Sequence, residues 1–149
     1  MTIAYGDQVE RWRQRDDAPR ASRVLVVDDD VDLRSVLADE LRAAGYAVIE
    51  ARTGAEFLDH LADALFSGER AAQPDVIVSD IRLPGFFGLD ILECLRHDRW
   101  RTGMIVMSAY ADRETRERVA RLGTSAFFEK PFEIDDLLAA VFDLNLGSR

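Results

Sequence analysis

Five short apolar runs punctuate the chain: Arg23–Val27, Ala47–Glu50, Val76–Val78, Met104–Met107 and Ala126–Glu129. The first is Arg-Val-Leu-Val-Val, without alternation, as a strand covered on both faces must be. Between and after the runs, apolar residues return every three or four positions, which predicts helices. The stripes are Leu33, Val36, Leu37, Leu41 and Ala44; Phe57, Leu58, Leu61 and Leu65; the segment Leu89–Arg96; and Ile134, Leu137, Leu138 and Val141. A further helix, Asp112–Leu122, is rich in charge and has only Val119 and Leu122 as sizeable apolar residues. Thr53 suits a helix cap, and Gly45 and Gly123 suit helix stops. Strand and helix alternating five times predict an α/β domain, a parallel sheet with helices on both faces.

The third run ends on a carboxylate. In Asp75-Val-Ile-Val-Ser-Asp-Ile-Arg-Leu-Pro-Gly-Phe-Phe-Gly88, Asp80 stands where a central strand gives way to a loop marked by Pro84, Gly85 and Gly88. Ligands gather at that edge of an open α/β sheet, and an acid there is costly unless something pairs with it. An acid that starts a turn or caps a helix is the other reading.

Composition narrows the class. The 149 residues, 48% hydrophobic and 32% charged, fit one globular domain. No run of 18 apolar residues occurs and the N-terminus lacks an apolar signal core, so the expectation is a cytoplasmic protein without a membrane span. A net charge of −9 argues against nucleic acid or an anionic membrane as direct partners of this domain and is compatible with a hard divalent cation. Cys94 is the single cysteine, which excludes an internal disulfide, and it is expected to pack with Leu92 and Leu95. Residues 1–22 read as an extension, in which Tyr5, Val9 and Trp12 share helical spacing; a short amphipathic helix and an unstructured arm are both open. The domain proper is assigned to 23–144 and a tail to 145–149. His60 and His97 read as surface histidines.

Several strands end in polar chemistry: Asp28 and Asp29 after the first, Asp80 on the third, Ser108 on the fourth and Lys130 after the fifth. In a parallel sheet these ends share one edge. Three clustered carboxylates repel unless protons or a cation neutralise them, and a few oxygen ligands completed by waters suit Mg²⁺. With a lysine and a hydroxyl beside them, the group could hold a phosphoryl group on Asp80, whose carboxylate attacks phosphorus.

Val-Val-Asp-Asp-Asp (26–30), Ser-Asp-Ile-Arg-Leu-Pro-Gly (79–85), Met-Ser-Ala (107–109) and Glu-Lys-Pro-Phe (129–132) occur in the order and spacing of a known family. From about Arg23 to Asp143 the chain resembles the receiver domains of two-component response regulators, the CheY-like superfamily. The resemblance implies a flavodoxin-like (βα)5 fold, a doubly wound parallel sheet in the order 2-1-3-4-5. It implies that Asp80 is the phosphoacceptor, that Asp29, Asp80 and the backbone carbonyl of Arg82 ligate Mg²⁺ with Asp28 acting mainly through water, and that Ser108 and Lys130 bind the phosphate. It also implies a cis Lys130–Pro131 peptide. The implied partners are a histidine kinase or histidine phosphotransfer protein and an effector domain or downstream protein. Phosphorylation would draw Ser108 inward, let Phe127 turn, and reshape the face of the fourth helix, fifth strand and fifth helix.

Some positions depart from the common pattern. Phe127 replaces a switch aromatic that is often tyrosine, and Phe86 and Phe87 occupy a loop often more polar. The last helix lacks the arginine typical of dimers built on the fourth helix, fifth strand and fifth helix, so a homodimer of that form is in doubt. Arg82 and Tyr110 flank the path of an attacking water in the resembled family; a long cation and a bulky phenol there predict a persistent phosphorylated form. A phosphatase with an aspartyl nucleophile needs a second acid two residues on, and Arg82 occupies that position. No G-x-G-x-x-G follows a strand, which disfavours a dinucleotide-binding protein. A degenerate receiver is disfavoured because the key positions carry competent residues. The expectation is a signalling switch that assists its own phosphorylation and dephosphorylation, not an enzyme proper. The end of the chain soon after the fifth helix fits either a stand-alone receiver or one parted from its effector.

Overall fold

The structure, a computed structural model, describes residues 22–69, 72–123 and 125–147. The extension, open between a short helix on Tyr5, Val9 and Trp12 and an unstructured arm, falls outside them up to residue 21, as do the last two residues of the tail. In chain order the elements are β1 (Arg23–Val27), α1 (Val31–Ala43), β2 (Ala47–Ala51), α2 (Gly54–Ser67), β3 (Val76–Asp80), β4 (Arg82–Leu83), β5 (Phe86–Phe87), α3 (Gly88–His97), β6 (Gly103–Ser108), α4 (Arg113–Ala120), β7 (Ser125–Glu129) and α5 (Ile134–Gly147). Five strands form a parallel sheet in the order β2-β1-β3-β6-β7. This is the flavodoxin-like 2-1-3-4-5 sheet that the alternation and the motifs predict.

The sheet separates two cores. One holds Leu25, Val27, Ile49, Ile77, Met104 and Val106 against Phe57 and Leu61 of α2, Leu89, Leu92 and Leu95 of α3, and Val119 of α4. The other holds Val24, Val26, Val48, Val76, Val78, Ile105 and Met107 against Leu37, Ala38 and Leu41 of α1 and Leu137 and Val141 of α5. Successive residues of one strand feed opposite cores, which is why β1 and most of β3 are buried without alternation.

Local chemistry sets the helix ends. The Asp30 carboxylate accepts from the amides of Asp32 and Leu33 (3.1 and 3.2 Å) and caps α1. Thr53 caps α2 through the Glu56 amide (3.1 Å) and Asp112 caps α4 through Thr115 (2.8 Å). Gly45 and Gly123 stop their helices with φ of 100° and 81°.

Four expectations shift. The inward stripe of α1 is Arg34, Leu37, Ala38 and Leu41, leaving Val36 46% exposed. The stripe of α2 is Gly54, Phe57, Leu61 and Ala64, so Leu58 and Leu65 face outward. In both helices a small or polar residue takes an inward position that a hydrophobic count assigns elsewhere. Cys94 is exposed instead of packing with its neighbours. His60 is half-buried, and burial pushes its imidazole down to about 4 against a hydrogen bond with the Glu50 backbone.

The loop after Asp80 is itself ordered. Arg82 pairs with Phe87 and Leu83 with Phe86 across a two-residue turn of Pro84 and Gly85, the latter at φ 76°. Pro followed by Gly is the pairing a type II turn demands. Phe86 lies against Gly54 at the start of α2, where a Cβ would meet its ring at 2.2 Å. Gly88 brings the chain back onto β3; a Cβ there would stand 2.3 Å from the Asp80 carbonyl oxygen.

Candidate functional site

Register brings the polar strand ends together. Val27 pairs with Ser79, so Asp28 stands level with Asp80 one residue on; Asp80 pairs with Met107 and Ser108 with Glu129, so Ser108 and Lys130 follow just beyond. Asp28 is fully buried. Its Oδ1 accepts from the Asp30 amide (2.9 Å) and its Oδ2 from Lys130 Nζ (2.8 Å). The same ammonium reaches Asp80 Oδ2 at 2.8 Å, and Asp80 Oδ1 accepts from the Arg82 amide at 3.1 Å. Asp28, Asp29 and Asp80 each bring a carboxylate oxygen into a group no wider than 4.8 Å.

The electrostatics follow from burial and pairing. Burial pushes the Asp28 carboxyl up, further than Lys130 and the Asp30 amide pull it down. Burial lowers Lys130, but its hydrogen bonds and charge contacts with Asp28 and Asp80 outweigh it, and the ammonium is held above the ordinary lysine value. Lys130 thus serves two of the three clustered acids, Asp28 and Asp80. The remaining need is for positive charge, and an all-oxygen donor set with one acid buried and one facing out fits a hard divalent ion.

The predicted switch residues sit at this rim. Ser108 is buried, accepts from the Tyr110 amide (3.1 Å) and donates to the Tyr110 carbonyl, so its hydroxyl is engaged along its own loop. The Lys130 amide donates to the Ser108 carbonyl (2.8 Å), tying the two loops, and Lys130–Pro131 is cis, as expected. Phe127 is half-buried on the α4 side with the Arg116 guanidinium 5.5 Å over its ring. Tyr110 is 73% exposed and Arg82 is exposed. The Asp112 carboxyl stands below the usual carboxylate range, chiefly through hydrogen bonds with Thr115, with the Arg82 charge adding to them.

Two residues beside the site escape a reading by motif. Arg34 is buried and donates through Nη1 to the Asp28 carbonyl (2.8 Å) and through Nε to Glu50 (3.3 Å). Its signal is an arginine in register with Leu37, Ala38 and Leu41. Arg118 binds Asp90 (2.8 Å) and Glu93 and lies 5.4 Å over the Phe87 ring, joining α4 to α3.

The sequence of residues 24–142 matches the model of a family described as the response regulator receiver domain. The chain belongs to that family. Over 118 residues the receiver is 36% identical to the DNA-binding transcriptional regulator NtrC of Escherichia coli, covering 79% of this chain and 24% of NtrC, so it spans about a quarter of that relative. Over 119 residues it is 30% identical to sporulation initiation phosphotransferase F of Bacillus subtilis, covering 80% of this chain and 90% of that protein. Among solved structures, a response regulator from Burkholderia pseudomallei with a phosphorylated aspartic acid, calcium ion and citrate superposes with a TM-score of 0.65 at 27% identity, over 80% of this receiver and 66% of that chain.

Proposed function

We propose that this receiver takes a phosphoryl group onto Asp80 from the phosphohistidine of a histidine kinase or histidine phosphotransfer protein. The observation that carries it is the Lys130 ammonium held between Asp28 and Asp80 at 2.8 Å each, with Asp29 gathered beside them. Asp28, Asp29, Asp80 and the Arg82 carbonyl would hold Mg²⁺, which would supply positive charge to the phosphoryl oxygens. An oxygen of Asp80 attacks phosphorus, the P–N bond to the histidine breaks, and the imidazole nitrogen takes a proton. Lys130, already beside the nucleophile, turns from carboxylate to phosphoryl oxygen. The Burkholderia relative, solved with a phosphorylated aspartic acid and a calcium ion, supports a phosphoacceptor aspartate and a divalent cation in this family.

In this reading the protein is a cytoplasmic signalling switch that assists its own phosphorylation and dephosphorylation. Its output passes to an effector domain or downstream protein, with no direct contact to nucleic acid or membrane by this domain. Ser108 leaves Tyr110 for the phosphate, Phe127 turns inward, and the face of α4, β7 and α5 changes. α5 lacks the arginine of the usual dimer through that face, which argues against a homodimer of that form. Arg82 and Tyr110 close over the phosphoryl group and slow its hydrolysis.

Acetyl phosphate or phosphoramidate with Mg²⁺ is expected to add one acid-labile phosphate to the wild type and none to Asp80→Asn. Equal uptake by both would refute the assignment. Hydrogen exchange across α4 and β7 is expected to change on phosphorylation, and an unaltered pattern there would remove the switching surface.

A further inference from the structure

We infer that Arg34, aimed by Glu50, is a positioning residue for the acid pocket, setting its affinity for a divalent cation. The inference rests on the metal-dependent reading above.

Asp28 is held at four points: its amide donates to the Ala51 carbonyl (3.1 Å), its carbonyl accepts from Arg34, its Oδ1 accepts from Asp30 and its Oδ2 from Lys130. Three of these fix the buried acid. The Arg34 bond acts on the carbonyl of the peptide that leads into Asp29, and so on the direction in which Asp29 leaves the strand. Asp29 is exposed and sits in the loop before α1, without strand pairing to orient it. The plane of the preceding peptide therefore governs where its carboxylate lies relative to Asp28 and Asp80, and that plane is pinned by a buried guanidinium.

Arg34 is itself aimed. Its Nε meets Glu50 of β2 at 3.3 Å, and Glu50 is shared with Arg42, whose Nη1 also stands at 3.3 Å and whose Nη2 donates to the Val48 carbonyl at 3.1 Å. A planar guanidinium presents Nε and Nη1 in a fixed fork that meets a carboxylate and a carbonyl in set directions, a rigidity the single rotatable ammonium of a lysine lacks. The cost of burying this cation is offset on β2, away from the pocket, so Arg34 orders the acids without occupying their metal-facing oxygens. Groups that orient metal ligands in this way typically change affinity by 10–100-fold when removed.

The test uses the 149-residue chain. MgCl₂ is titrated with two readouts: the metal-dependent rise in melting temperature, and the rate of phosphorylation by phosphoramidate. For Arg34→Gln the half-saturating Mg²⁺ concentration is expected to rise roughly tenfold in both, the effect falling on half-saturation and not on the plateau rate. Arg34→Lys should give an intermediate rise, and Glu50→Gln a smaller one because the carbonyl bond survives. A merely structural role lowers the metal-free melting temperature and leaves half-saturation where it was; that result in Arg34→Gln overturns the inference. If Arg34→Gln does not fold, wild-type half-saturation in both Arg34→Lys and Glu50→Gln overturns it. If wild type binds Mg²⁺ in the melts but takes no phosphate, the phosphoacceptor reading fails and the melts still judge Arg34. If Mg²⁺ shifts neither readout in wild type, both fall.

Discussion

The two halves of the sheet are built differently. β1 and β3, which present Asp28 and Asp80, are buried along almost their whole length and packed on both faces. β7, which leads to Lys130, is half-exposed throughout and sits at the sheet edge, beside an α4 whose one buried residue is Val119. Polar ties make up part of the difference: Arg118 joins α4 to Asp90 and Glu93 of α3, and Arg116 reaches Glu129 of β7 at 3.1 Å. Such surface pairs are worth little compared with buried apolar area. The acids thus stand on strands packed on both faces, while Phe127 and Lys130 come from a half-exposed edge strand with less apolar burial beneath it, and Ser108 ends the fully buried β6 between them.

The largest test of that contrast is stability. Leu25→Ala, in the middle of β1, is expected to cost about 3 kcal/mol, and Val119→Ala, in α4, about 1–1.5 kcal/mol, by urea unfolding. Equal costs would show that α4 is anchored as firmly as β1.

Next comes acid sensitivity on the β1 side of the sheet. His60 has a folded-state pKa of about 4, below its ordinary 6.5, so the neutral imidazole favours the native state. Its contribution is fully present above pH 6.5 and is lost as the pH falls toward 4. With partial exposure discounted, roughly 1–2 kcal/mol is at stake. His60→Gln should flatten the stability profile across that window, and an unchanged acid limb would count against the buried, neutral histidine.

On the half-exposed side, Arg118→Ala removes the ion pairs that tie α4 to α3. Amide exchange in α4 is expected to speed up about fivefold, an opening free energy lower by ~1 kcal/mol, with β1 and β3 unaffected. Acceleration spread evenly over the sheet would erase the distinction between the halves.

The smallest expected effect is on signal lifetime. Arg82→Asn with Tyr110→Ala should shorten the life of the phosphorylated form about threefold, a barrier change of ~0.7 kcal/mol. Both side chains face solvent in this structure, so the effect depends on their closing over the phosphoryl group once it is present. Loss at the wild-type rate would leave them without a role in the lifetime.

Period and punctuation determined the parallel sheet, its helices and the sites of Asp28, Asp29, Asp80, Ser108 and Lys130, because apolar runs, caps and strand-ending acids are local features of a chain. The family followed from short motifs in fixed order for the same reason. The tertiary structure decided what depends on neighbours distant in sequence. It turned the faces of α1 and α2 so that Arg34 points inward and Val36, Leu58 and Leu65 outward, half-buried His60, and exposed Cys94. It folded the segment after Asp80 into a hairpin whose Phe86 rests on Gly54. It also placed one ammonium between acids 102 and 50 residues away in sequence. Helical periodicity specifies a stripe only to within a residue or two, and the charge or ring that takes the inward place is chosen by what the rest of the fold offers it, here a carbonyl, a carboxylate or a bare glycine.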